Sequence, residues 1–71
     1  MTTLTAVVEQ DPETGLYVGT VPGLPGAHSQ GATLDELMAN LKEVVELVLE
    51  EDQELRDNLP RFVGVQQIEV A

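Results

Sequence analysis

No cysteine and no tryptophan occur in this chain, one tyrosine and one phenylalanine are its only aromatic residues, and three bases stand against thirteen acids. Each shortage excludes something. Without cysteine there is no disulfide to staple a small fold and no thiolate to bind a metal. Lys42, Arg56 and Arg61 are too few to neutralise a run of phosphates, which argues against direct DNA or RNA binding. No apolar run approaches the roughly 20 residues that a membrane span needs. The start, Met1 to Thr5, has neither the basic region nor the apolar stretch of a secretory signal. His28 is the only histidine, so a metal site or a general base would lack the neighbours it normally needs. The expectation is a soluble, cytoplasmic protein with no membrane association, metal or cofactor.

What remains is short and acidic. Seventy-one residues make one domain, spanning 1–71. A chain of this size hides only about 60% of the surface its unfolded form exposes, so its own core is marginal. Self-association is the remaining common support, and a homodimer or homotetramer is expected. The net charge of -10 favours a basic partner and speeds its encounter. The plainer reading of that charge is solubility.

Thr3 to Gln10 alternates, with Leu4, Ala6 and Val8 on one face and Thr3, Thr5, Val7 and Glu9 on the other. Leu16 to Val21 alternates again. Between them Pro12 presets a turn and Gly15 supplies the left-handed residue that closes it. Two alternating runs across such a turn predict a β-hairpin. Pro22, Gly23, Pro25, Gly26 and Gly31 then fall within ten residues, a stiff punctuated loop. Ala27 to Gln30 has room for a brief third strand.

Thr33-Leu34-Asp35-Glu36 is a capping box. The Thr33 hydroxyl can accept from the Glu36 N–H, and the Glu36 carboxylate can reach back to the Thr33 N–H. Leu34, Leu37, Met38, Leu41, Val44, Val45 and Val48 follow at helical spacing, with Leu49 widening the stripe and Leu47 outside it. Glu43, Glu46, Glu50 and Glu54 occupy the opposite face. Asp52 falls on the extension of the apolar stripe, so core contact should end near it, with the helix reaching about Leu55 or Arg56. Phe62 to Val70 is a last strand candidate, although Val63 and Val65 share one face and Ile68 and Val70 the other. A bulge near Gln66 would reconcile them. The fold class is α+β: a small sheet with one helix on one face, the other face partly open, with Thr3, Thr5 and Tyr17 among its candidates.

Few residues carry chemistry. A carboxylate spray on a helix is a solvated face rather than a calcium loop. Gly23-Leu24-Pro25-Gly26 lacks the lysine of a phosphate loop, and its prolines remove donors. Leu24 and Leu47 have no evident place in the core, and clustered they would mark an interface. A minimal hydrolase using His28 with an acid is the weakest of the functional readings.

The joined pattern resembles the HicB-like antitoxin family. It is carried by Tyr17, Val18 and Pro22, by Gly23 to Gly26, by Ser29 to Gly31, by Thr33 and Glu36, and by Ala39 to Glu43. It covers about Leu4 to Leu49. The resemblance implies a partial ribonuclease-H-like order, β-β-β-α-β, without nuclease activity, since the strands offer only Glu9 and Glu69. It implies a non-catalytic module that binds a small basic HicA-like toxin. The alternative is a solitary self-associating or regulatory domain with no toxin. Many members continue into a DNA-binding domain. Ala71 falls about where the α+β module ends, so a stand-alone module is expected. Tyr17, Pro22, Leu24, Pro25, His28 and Leu47 are the expected partner contacts. Gly15, Gly26, Gly31, Thr33, Glu36 and Asn40 are the expected structural positions.

Overall fold

The hairpin forms where the alternation places it. In the computed structural model, which describes residues 3–71, β1 is Val7–Gln10 and β2 is Tyr17–Thr20, paired antiparallel with Val7 opposite Thr20 and Gln10 opposite Tyr17. Met1 and Thr2, the start of the N-terminal stretch read above, lie outside the described residues. The turn is held by Asp11. Its carbonyl accepts from the Gly15 N–H at 2.8 Å, and its carboxylate accepts from the Thr14 hydroxyl at 2.9 Å. Gly15 has φ 75°, the left-handed region expected of it. Pairing in β1 begins later than the alternation, at Val7 rather than Thr3.

The Pro-Gly loop folds into two consecutive tight turns. Leu24 donates to the Val21 carbonyl at 3.3 Å, Ala27 to the Leu24 carbonyl at 3.1 Å, and Val21 to the Ala27 carbonyl at 2.9 Å. Gly23 and Gly26 take φ 87° and 79° to make these reversals. This closure corrects the reading of Leu24 as a surface leucine. The turns tuck it inward to 4% exposure, in one cluster with Val21, Ala27, Leu41 and Leu49. β3, His28–Gly31, leaves the loop and pairs antiparallel with β2, giving a three-stranded meander in the order β1-β2-β3.

α1, Leu34–Glu51, opens on Thr33, whose hydroxyl accepts from the Glu36 N–H at 3.1 Å. Among the described residues this is the half of the capping box that forms. Thr33→Ala is expected to cost about 0.5–2 kcal/mol, out of roughly 4–10 kcal/mol for a domain of this length. Thermal melting checks it, and Thr33→Ser should melt close to the unchanged chain. An alanine variant with an unaltered midpoint would remove the cap from the account.

α1 ends at Glu51, earlier than expected. Asp52 caps it by donating to the Val48 carbonyl, and its own carboxylate starts a 3-10 helix, Gln53–Asn58, by accepting from the Glu54 N–H. The cause is visible in the pattern: an acid on the apolar stripe cannot stay on the core. Leu37, Leu41 and Leu49 are buried, whereas Leu34 and Met38 at the start of the stripe are about half exposed.

Phe62–Val70 forms no strand, which corrects the expected fourth. The whole segment is exposed, and Val63, Ile68 and Val70 are each above 80%. Ordering each residue costs about 1–2 kcal/mol. With Val63 and Val65 on one parity and Ile68 and Val70 on the other, no single register of an isolated chain buries both pairs. Among the described residues the fold is therefore α+β with three strands and one long helix, and the final strand of the β-β-β-α-β order is missing from it.

Candidate functional site

α1 lies over β3 and β2 and leaves β1 uncovered. Close approach needs small residues beneath the helix. A Cβ on Gly19 would stand 3.2 Å from the side-chain tips of Leu37 and Leu41, and one on Gly31 would stand 2.6 Å from the Leu37 nitrogen. Gly19 and Gly31 therefore mark the helix side of the sheet. Directly paired residues share a face, and successive residues alternate. Tyr17, paired with Gly31, thus belongs to the helix side and is half-buried, which corrects its placement on the open face. Asn40 fastens the two layers by donating its amide to the Gln30 carbonyl at 2.9 Å.

The same register composes the open face. Val7, Thr20 and His28 form one row across the three strands, and Glu9, Val18 and Gln30 form the next. An apolar centre of two valines is bordered by a hydroxyl, an imidazole, an amide and one carboxylate. His28 is exposed, with Thr20 as its cross-strand neighbour. The arrangement can dock another surface. Among the described residues, no group of three His, Asp or Glu is placed to hold a metal ion.

The outer side of α1 is the second feature. Glu43, Glu46 and Glu50 are exposed there, and Leu47, 57% exposed, sits among them. Such a stripe is a one-signed field that reaches about 10 Å at moderate salt.

The expected contact residues do not form one patch. His28 is on the open sheet face, Leu47 is on the outer helix, Tyr17 is between the layers and Leu24 is in the core. Pro22 and Pro25 are exposed on the double turn, and Pro22 borders a cleft of about 360 Å³ with Thr3, Leu4 and Leu59. Gly15 and Gly26 take positive φ, Gly31 lies against the backbone of Leu37, and Thr33 accepts from the Glu36 N–H. Gly19 was not singled out by the sequence reading. A glycine inside an alternating strand is the signal that would have found it, because it marks a close backbone approach. Among the described residues, no helix is long and apolar enough to cross a membrane.

A family described as "HicB_like antitoxin of bacterial toxin-antitoxin system" matches residues 4–70. Proteins carrying the designation "UPF0150 protein" are similar over almost the whole chain. One from Thermotoga maritima is 53% identical, covering 93% of this chain and 87% of its own length. One from Archaeoglobus fulgidus is 50% identical, with 90% and 88% covered. One from a Synechocystis strain is 45% identical, also with 90% and 88% covered. No solved structure matches the chain.

Proposed function

The chain belongs to the HicB-like antitoxin family, and from that membership we propose that it is a cytoplasmic binding module that neutralises a small basic mRNA-cleaving toxin of the HicA type, without catalysis of its own. The match across residues 4–70 is the observation that carries this reading. Two features support it. A net charge of -10, with Glu43, Glu46 and Glu50 aligned on one helix face, suits a basic partner. Steering of this kind raises encounter rates by roughly 10–1,000-fold. The open sheet face offers the apolar centre and polar border from which protein interfaces are built. The two surfaces divide the work: the acidic helix attracts, and the sheet docks.

The experiment joins the purified chain to a HicA-type toxin and follows association and mRNA cleavage. Binding that slows as salt rises, with cleavage suppressed at one-to-one stoichiometry, is expected. The combined change Glu43→Lys, Glu46→Lys, Glu50→Lys should slow association by about tenfold or more, while Val18→Asp, on the open face, should hasten dissociation. A chain that neither binds such toxins at micromolar concentration nor protects mRNA would remove the toxin from the account. A self-associating or regulatory domain would then stand in its place, a reading that the exposed apolar C-terminal segment favours.

A further inference from the structure

β3 ends the sheet on the side away from β1. An edge strand presents a row of N–H and C=O groups with no neighbour, which is a template for a strand from another molecule. The double turn fixes which residues make up that row. The Val21 N–H donates to the Ala27 carbonyl at 2.9 Å, so Ala27 turns its polar backbone groups toward β2. Along an antiparallel pair, residues that exchange such bonds alternate with residues that do not. Ala27, Ser29 and Gly31 therefore face β2, while His28 and Gln30 aim their backbone N–H and C=O groups outward.

Two of these outward groups are engaged within the chain. The His28 N–H turns back to the Gly26 carbonyl at 3.0 Å, and the Gln30 carbonyl accepts from the Asn40 amide nitrogen at 2.9 Å. The second bond brings a side chain to the edge. An added strand would run about 4.8 Å from β3. An amide nitrogen 2.9 Å from the Gln30 carbonyl, on the side away from β2, stands inside that gap. The helix that carries it is pinned there, because a Cβ on Gly31 would stand 2.6 Å from the Leu37 nitrogen.

We propose that Asn40 closes the β3 edge to strand addition, so that this side of the sheet accepts no β-strand from any other molecule. Its position in α1 is the first reason. Asparagine is a poor helix former, yet Asn40 sits well inside Leu34–Glu51, between the buried Leu37 and Leu41. The bond to Gln30 explains what it does there. The composition of β3 is the second reason. Edge strands are commonly guarded by lysine, other charges or proline, and His28–Gly31 contains no lysine, arginine, carboxylate or proline. The guard therefore comes from outside the strand. Persistence is the third reason. Repulsion between copies with a net charge of -10 fades as salt screens it, whereas a side chain standing in the path of a strand acts at any salt. The carboxamide satisfies the carbonyl without adding a charge beside it.

Sedimentation velocity of the full chain, across concentration and at low and high salt, tests this without any toxin present. Its result is therefore independent of the antitoxin reading. The unchanged chain sets the baseline mass. Asn40→Leu keeps the branched shape and removes the donor, and Asn40→Ala removes both. Each should give a weight-average mass at least about double the baseline, still rising at the highest concentration, because an opened edge adds neighbours by strand pairing. The rise should be steeper at high salt, where repulsion is screened. Gln30→Pro in either background should return the mass to baseline, since proline removes an outward N–H and is tolerated at an edge. A bond that only steadied the helix would lower the thermal midpoint by about 4–8 °C and leave the mass alone. That outcome would overturn the proposal, as would association that Gln30→Pro fails to reverse. Loss of the α1 circular dichroism signal in both Asn40 variants would overturn it in favour of a purely architectural role.

Discussion

Leu37→Ala is expected to remove half or more of the folding free energy and to lower the thermal midpoint by roughly 10–30 °C. Among the described residues Leu37 is the one large side chain with no accessible surface, and its branches rest directly on the Gly19 backbone. Truncation loses the burial of three carbons and leaves a cavity whose floor is main chain, which cannot collapse inward. Large-to-small changes of this kind cost about 2–5 kcal/mol, and roughly 4–10 kcal/mol is all that a domain of this length has. Neighbouring Met38 is the internal control. It is half exposed, so Met38→Ala should shift the midpoint by only a few degrees. Melts followed at 222 nm settle the matter; equal shifts for the two variants would mean that the helix is rotated from the orientation described.

Gly31→Ala should be far more damaging than Gly19→Ala or Gly64→Ala. The added Cβ would lie 2.6 Å from the Leu37 nitrogen, 3.0 Å from its Cα and 3.1 Å from the Glu36 carbonyl carbon. All three are backbone atoms, so nothing can swing aside, and the helix start must lift from β3. That movement pulls on the Asn40–Gln30 bond and on the seat of Leu37 over Gly19. Overpacking costs about 1–3 kcal/mol, and more where the neighbour is rigid. Gly19→Ala meets only leucine tips at 3.2 Å, which have freedom to turn. Gly64→Ala meets nothing within 4 Å. Urea denaturation should therefore rank the variants Gly31, Gly19, Gly64 from most to least destabilised. If Gly31→Ala unfolded no earlier than Gly64→Ala, the close approach of α1 to β3 would be refuted.

Legibility in the sequence followed how local each interaction is. The hairpin across Asp11 to Leu16 and the Thr33 cap rest on residues within five positions of one another, and both could be read directly. Leu24 was misread because its burial depends on a double turn whose two reversals cooperate. No periodicity reports such a loop. Tyr17 was placed on the wrong face because alternation tells which residues share a side but not which side the helix takes. That choice is made by Gly19 and Gly31, where a side chain would prevent contact. The C-terminal segment has the composition of a strand, but its apolar residues are divided between two parities and none of them is buried in this fold. The open sheet face composed of Val7, Val18, Thr20 and His28 became visible only when the register was known.

The order in which the elements touch has a kinetic consequence. β1 meets β2, β2 meets β3, and β3 meets α1; the single contact that skips an element joins α1 to β2. Most element pairs in contact are thus neighbours along the chain, while Leu4 and Ala6 reach a core that includes Leu41 and Leu49. Mixed domains of sheet and helix fold at rates between those of helical bundles and β-sandwiches, because loop entropy is lost before the longer-range contacts are rewarded. The three strands and α1 can therefore complete their core once Leu55 and Leu59, which pack against it, have left the ribosome. Folding is first order and finishes on that timescale at any concentration. Joining two chains is second order and waits on the number of copies present.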